Sequence, residues 1–289
     1  METKKRRRGV LPILLVLIVL IIGALLYDSN TRIVATEYVL QYPDMPKPFD
    51  GFRIAVLSDI HAAEFGEKNS KLISMIADAA PDIIVIAGDI IDHDKKPPIK
   101  EQLEIAGSLV ERLSPVASIY YITGNHEWGS GGIKELFTML AEYEVCVLRN
   151  RYILLEAGSE SIILAGIDDP NGPADMKKPD DFIREMYEAE GRLFTILLEH
   201  RNNHLSLHSA HGVDLVLSGH AHGGIIRIPF TDGLIGQSRE WMPKYTSGVN
   251  TMGGTNMVVS RGIGNHTGLP RFLNNPEVVI VELRLEETA

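Results

Sequence analysis

The sequence predicts an α/β domain built on two sheets, preceded by one apolar N-terminal segment. Three observations lead there. From Phe52 onward, short apolar runs rich in Ile and Val alternate with stretches of helical spacing. The helical stretches gather in the first half of the chain and the strands in the second, which argues for one domain with two sheets over two independent domains. Five of the apolar runs end in Asp, Asn, Glu or His, and in open α/β sheets sites form beyond the carboxyl ends of strands.

The N-terminal segment is read first. Lys4, Lys5, Arg6, Arg7 and Arg8 precede an apolar run from Val10 to Leu26, interrupted by Pro12 and Gly23. That length is the lower edge of a membrane span and long for a signal-peptide core. Gly23-Ala24-Leu25 is a poor cleavage site, and basic residues stay cytoplasmic. The expectation is a basic cytoplasmic tail over 1–9 and an uncleaved transmembrane anchor over 10–27. Everything after Tyr27 then lies outside the cytoplasm, in a single-pass protein of the cell membrane; a cleaved signal peptide is the rival. Residues 28–51 form a linker and an edge strand: Asp28–Thr31 is polar, Arg32–Leu40 alternates loosely, and Pro43, Pro46 and Pro48 stiffen the connection.

The main domain covers 52–289. Ile54–Ser58, Ile83–Gly88 and Ser118–Thr123 read as strands, with helices over Lys71–Ala79 and Ile99–Leu113 between them. A helix over Gly132–Tyr143 leads to a strand over Val145–Leu148. Tyr152–Ala157 and Ser161–Ile167 flank Gly158-Ser159 as a hairpin. A helix over Pro179–Gly191 and a strand over Leu193–Leu198 follow. Leu215–Leu217, Ile225–Ile228, Asn256–Ser260 and Val278–Leu285 supply the remaining strands.

Composition narrows the chemistry. Cys146 is the single cysteine, so an intrachain disulfide and a thiolate metal cluster are both excluded, and any metal must be held by N and O donors. Met1–Arg8 holds five cations and one anion; the remaining 23 Lys and Arg face 37 Asp and Glu, a net charge of −14. A domain this acidic is not expected to bind nucleic acid, whose affinity comes from lysine and arginine. Bound divalent cations would reverse that sign locally. No feature of the sequence sets an oligomeric state.

The polar strand ends are the informative regularity. They are Asp59-Ile60-His61, Gly88-Asp89-Ile90-Ile91-Asp92, Gly124-Asn125-His126-Glu127, Glu199-His200, and Gly219-His220-Ala221-His222. If the chain stays extended after Leu217, His220 and His222 point to the same side, and the neighbouring glycines let backbone approach whatever they hold. Two neutral imidazoles side by side suit a divalent metal better than an apolar core. Each block alone is weak; five in one topological position point to a metal site. His93, His204, His208 and His211 read as solvated loop residues.

These blocks resemble the calcineurin-like metallophosphoesterase family, and within it the membrane-anchored, single-domain bacterial members, over about Phe52 to Leu285. The resemblance implies a four-layer α/β/β/α sandwich of two mixed sheets with a two-metal centre between them. It implies that Asp59, His61 and His222 bind a first metal, that Asn125, His200 and His220 bind a second, and that Asp89 bridges both. With no thiolate available, the two divalent ions are expected to be Mn, Fe or Zn. His126 is expected to protonate the leaving oxygen, with Asp92 orienting its ring; the alternatives are His126 as another ligand and Asp92 as a plain turn acid. Glu199 departs from the small residue the family often has there, which makes His204 the fallback ligand.

The function this implies is a dinuclear phosphoester hydrolase, a phosphodiesterase in which a metal-bridging hydroxide attacks phosphorus without a covalent intermediate. A domain tethered above the bilayer meets lipid headgroups first, so the expected substrate is a phospholipid or lipid-linked envelope phosphate. The alternatives are a pyrophosphatase acting on a nucleotide-linked lipid, a cyclic-nucleotide phosphodiesterase, and a non-catalytic metal-binding scaffold. Two softer signals remain. Trp241 sits in a glycine-punctuated loop, Phe230–Gly254, that reads as a lid, a lipid-facing patch or a buried aromatic. Arg261 reads as a phosphate ligand or as half of a structural ion pair.

Overall fold

Alternation along the strands decides the layering. The computed structural model describes residues 3–94, 96–173, 177–237, 239–265 and 267–286; the side chains of the basic stretch Lys4–Arg8 lie outside the described residues. The chain opens with α1 (Thr3–Thr31) and β1 (Val34–Tyr42), then alternates through β2 (Arg53–Leu57), α2 (Ser70–Asp78), β3 (Ile83–Ala87), α3 (Ile99–Leu113) and β4 (Ser118–Ile122). Next come α4 (Asn125–Ser130), α5 (Ile133–Glu142), β5 (Cys146–Val147) and the antiparallel pair β6 (Arg151–Ala157) and β7 (Glu160–Ile167). The last part holds α6 (Pro179–Glu190), β8 (Thr195–Glu199), α7 (Leu205–His211), β9 (Leu215–Ser218), β10 (Gly248–Met252), β11 (Thr255–Val259) and β12 (Glu277–Leu285).

Two six-stranded mixed sheets result, in the orders β1-β12-β2-β3-β4-β5 and β10-β11-β9-β8-β7-β6. In each, the strands that end in polar clusters run parallel and side by side: β2-β3-β4 in one, β8-β9 in the other. Their side chains divide by parity. Ile54, Val56, Val85, Ala87, Ile196, Leu198, Leu215 and Leu217 meet between the sheets. Ala55, Leu57, Ile84 and Ile86 face outward against Leu72, Ile76, Leu109, Val110, Leu136 and Leu140 of α2, α3 and α5. Leu197 and Val216 face Phe182, Ile183, Met186 and Leu205 of α6 and α7. The order of layers is α/β/β/α, as expected. Strands buried on both faces explain why these runs read as continuous apolar stretches.

The structure departs from the sequence reading at several elements. Asp28–Thr31, expected as a linker, is the last turn of α1. That turn is fastened to the domain: Asn30 donates to the Arg271 carbonyl (2.8 Å) and accepts from the Arg271 N–H (3.0 Å), and Asn275 donates to the Asp28 carbonyl (2.9 Å). Leu11–Thr31, 21 residues, is long and apolar enough to cross a membrane; at 1.5 Å per residue it spans about 31 Å, close to a bilayer's hydrocarbon thickness of about 30 Å. Ile225–Ile228 forms no strand, only isolated bridges to Ile235 and Phe272. α4, α7 and β10 were not expected, because short segments rich in Gly, His, Asn and Ser have weak intrinsic preference.

Candidate metal centre

The crevice at the strand ends is built by loops that run alongside one another. The Asp59 N–H donates to the Gly88 carbonyl (3.1 Å) and the His61 N–H to the Asp89 carbonyl (3.0 Å), so the turns after β2 and β3 share one path. Glu127, fully buried, ties in the third turn. Its carboxylate accepts the N–H groups of Gly124 (2.7 Å), Asp89 (3.0 Å) and Ile90 (2.6 Å). Burial and the neighbouring Asp89 push the Glu127 carboxyl up to about 8, while the backbone donors pull the other way. Glu127 carries no role in the expectations drawn from sequence; a Glu three residues after Gly124, at the start of a helix, is the signal that finds it.

Two groups of donors converge there. In the first, Asp59, His61 and His222 offer atoms all within 4.8 Å of one another. His61 Nε2 stands 3.3 Å from His222 Nε2, which is 3.4 Å from Asp59 Oδ1. In the second, His200 Nε2 lies 3.1 Å from Asp89 Oδ2, 3.2 Å from Asn125 Oδ1 and 3.2 Å from His220 Nδ1. His200 Nδ1 donates to the Ala87 carbonyl (2.8 Å), which leaves Nε2 as the atom turned into the site. His126 Nδ1 pairs with Asp92 Oδ1 (2.8 Å), and its Nε2 lies 3.9 Å from Asp89 Oδ2. All nine residues expected at the site are thus in one crevice. His93 is exposed, as expected, and also reaches the crevice's edge, with Nδ1 2.6 Å from His126 Nδ1.

The donors suit cations. Asp59 and Asp89 have no solvent exposure, and burial pushes the Asp59 carboxyl up. Asp89 goes the other way: burial opposes its ionisation, but the charges of the neighbouring His200, His61 and His126 hold it well below the carboxylate range. Burial opposes protonation of His200 as well, yet Asp89 holds its pKa up at about 10. Burial and the charge of His200 bring His220 down to about 3, so it presents a lone pair. Asp89 Oδ2 receives no hydrogen bond of good geometry although His200 is beside it. Clustered imidazole nitrogens and carboxylate oxygens match what divalent ions of intermediate hardness require.

Backbone geometry concentrates on the same residues. Asp59, His61, Asp89, His220 and His222 all have positive φ, between 47° and 69°, a conformation kept where surrounding structure forces it and common at functional sites. It corrects the expectation for the histidine pair. The chain is not extended after β9, so His220 and His222 diverge, one to each group. A Cβ at Gly219 would stand 1.7 Å from Ser58 Oγ and 2.5 Å from Asp59 Oδ2; one at Gly124 would stand 2.2 Å from Asp89 Oδ1. Glycine is required at both because backbone passes against the carboxylates.

Three further expectations are resolved by contacts. His204, the fallback ligand, lies outside the crevice, paired with Glu199 Oε1 (2.7 Å), while His208 takes Glu199 Oε2 (2.6 Å). Arg261 is the structural alternative: it pairs with Glu277 Oε2 (2.6 Å), which is buried. Trp241 is 70% exposed and not a core aromatic. Two cations stand beside the site that carried no expectation from sequence: buried Arg271, with Nη2 3.4 Å from His222 Nδ1, and Arg201. Arg201 is held by buried Asp169 (2.7 Å) and lines, with His220, Lys244 and Tyr245, a cavity of about 410 Å³. Its signal was the same one, since β7 also ends in acids, Asp168-Asp169.

Residues 52–224 match the Calcineurin-like phosphoesterase family. The metallophosphoesterase YkuE of Bacillus subtilis (strain 168) is 32% identical over 262 residues, 89% of this chain and 88% of its own. A transmembrane protein with metallophosphoesterase domain from Danio rerio is 26% identical over 279 residues, 88% of this chain and 61% of its own. Among solved structures, a dimetal phosphatase from Danio rerio aligns with a TM-score of 0.43 at 13% identity, over 74% of this chain and 88% of that one. The family match spans every crevice residue from Asp59 to His222, and a relative of near-equal length shares it: this chain belongs to the calcineurin-like phosphoesterase family, the metal-dependent hydrolases of phosphate esters.

Proposed function

We propose that this chain is a dinuclear phosphodiesterase anchored by α1 in the cell membrane, with the domain outside the cytoplasm and a lipid-linked phosphate as substrate. The observation that supports it is the convergence of two donor groups beside one imidazole, His126, that is paired with Asp92. In this reading Asp59, His61 and His222 hold one metal, Asn125, His200 and His220 the other, and Asp89 lies between them. The pair, when bound, supplies activated water at neutral pH and neutralises phosphoryl charge. His126 holds its proton on the face turned to Asp89 and delivers it to the leaving oxygen; Asp92 fixes the ring through Nδ1. Arg201, anchored on Asp169, orients the ester from the cavity side. The −14 domain repels free polyanions, which favours an ester delivered by the bilayer.

The test is reconstitution of the full chain in detergent with Mn, Fe or Zn. Two metals per chain by elemental analysis and turnover of bis-p-nitrophenyl phosphate are expected, and Asp89→Ala should abolish that turnover. Activity that survives Asp89→Ala would sink the two-metal reading. For topology, protease added to intact cells should degrade the domain; a protected domain would put the catalytic half in the cytoplasm.

A further inference from the structure

The crevice leaves one feature unused, the outer face of the loop that walls its cavity. Outside α1, the large apolar side chains of Ile228, Phe230, Trp241 and Met242 are 46%, 107%, 70% and 56% exposed. These four lie on one loop, whereas the other exposed large apolar residues among those described outside α1, Val39, Leu154 and Met252, sit singly on β1, β6 and β10; Phe230 and Met242 are held at positive φ, 69° and 52°. Bulky residues kept exposed in a costly backbone conformation indicate a surface that something covers.

Backbone contacts tie that surface to the end of α1. Asn30 exchanges two hydrogen bonds with Arg271. Phe272 then pairs with the segment Ile225–Arg227: its N–H donates to the Ile225 carbonyl (3.2 Å) and its carbonyl accepts from the Arg227 N–H (2.9 Å). The Leu234 N–H donates to the Ile226 carbonyl (2.7 Å), and the Met242 N–H to the Leu234 carbonyl (2.9 Å). Four such steps at about 4.8 Å each, with three single-residue steps along the chain at about 3.8 Å, put Trp241 within about 31 Å of the helix end. The inner face of the same loop contributes Lys244 and Tyr245 to the cavity beside His220.

We infer that Phe230, Trp241 and Met242 dip into the bilayer that holds α1, so that the mouth of the metal crevice opens onto the lipid surface. The inference rests on the membrane placement of α1 proposed above and deepens the reading of the substrate as a lipid-borne phosphate. Trp and Phe suit the membrane–water boundary. A single helix would let the domain swivel; a second apolar contact on the far side of a bonded ladder fixes its attitude.

The test uses the full chain in nanodiscs whose phospholipids are brominated near the headgroup. The chain has two tryptophans, and Trp128, against Thr123 and Phe137, serves as the internal reference. Bromolipid should quench a blue-shifted component of the emission, and that component should vanish in Trp241→Phe. In the triple variant Phe230→Ser/Trp241→Ser/Met242→Ser, kcat/KM on a phospholipid diester in the same discs should fall about tenfold or more, the effect of roughly 1.4 kcal/mol, with bis-p-nitrophenyl phosphate turnover unchanged. Unquenched emission of a water-exposed indole would overturn the inference. So would Trp241 shielded from bromine with two chains per disc, which would make the patch a homodimer contact. Failure of the catalytic reading is separate: it appears as a parent protein inactive on the soluble ester.

Discussion

His126 and Asp92 are where single residues decide between hydrolysis and mere metal binding. The ring is buried, which opposes protonation, but its hydrogen bond to Asp92 and the charges of Asp89 and Asp92 outweigh that, and its pKa is raised above 6.5. A proton donor with a raised pKa stays protonated to higher pH, so the alkaline limb of kcat/KM belongs above about pH 6.5. His126→Ala should keep two metals per chain by elemental analysis yet lose about 10²–10⁴-fold in turnover. Asp92→Asn removes the main raising partner, so the alkaline limb should move to lower pH; an unmoved limb would leave Asp92 a turn residue. At this scale the site was legible from residue type at strand ends, since Asp59, Asp89, Asn125, His126, His200, His220 and His222 are unusual after apolar runs. His93 was not legible, because what makes it part of the crevice is a partner distant in sequence, His126; Arg201 had its signal in the acidic end of β7, Asp168-Asp169, but that pair does not say which cation it holds. The direction of His222 was misread for a related reason: an extended backbone was assumed where close packing against Asp59 imposes a left-handed one.

Between β8 and α7 a local clamp holds the strand that presents His200. Glu199, the last residue of β8, bonds His204 just before α7 and His208 within it. Burial opposes ionisation of Glu199, but the two histidine hydrogen bonds win and its pKa falls below 4.5. The hydrogen bond to Glu199 raises His204 above 6.5, with burial opposing. The signs give a window. The carboxylate's contribution is present above about pH 4.5 and lost as pH falls through its lowered value; the imidazolium's is present below about pH 6.5 and lost as pH rises through its raised one. The Tm difference between the parent and His204→Asn should therefore be largest from about pH 4.5 to about pH 6.5 and shrink above it. A difference that stays flat through about pH 9 would remove the ion pair from the account. This element also shows why part of the fold escaped the sequence. β8 has the uninterrupted apolar run of a strand buried on both faces, whereas α7 (Leu205–His211) is two turns long and half histidine and serine, held by Glu199 and by Leu205 packing under the second sheet. Strands with strong hydrophobic runs were found within a residue or two; short helices stabilised by tertiary contacts carry no such signal.

For the molecule as a whole, the crevice gathers negative charge in a domain that is already acidic. Asp59, Asp89 and Glu127 are fully buried and Asp92 nearly so, and against 37 acidic groups beyond the tail there are 23 basic ones. Without cations these carboxylates meet one another and the histidines across a few ångströms. Bound divalent ions reverse the local sign, and binding to the folded state alone stabilises it by about 2.7 kcal/mol per site at a hundredfold excess over Kd. For a domain of this size a kcal/mol moves Tm by about 2–4 °C, so Mn added to chelator-stripped protein should raise Tm by about 5–10 °C per site. Asp89→Ala should remove most of that rise, since Asp89 is the residue proposed to serve both ions. Acidification should shrink it in the parent as well, because His200, held protonated by Asp89, must give up its proton to bind metal. Differential scanning fluorimetry of the full chain in detergent, with elemental analysis of each sample, reads all three. Two ions bound with no change in Tm would mean that the crevice is held by its own hydrogen bonds, through Glu127 and the paired loops, and that cations act there on the substrate alone.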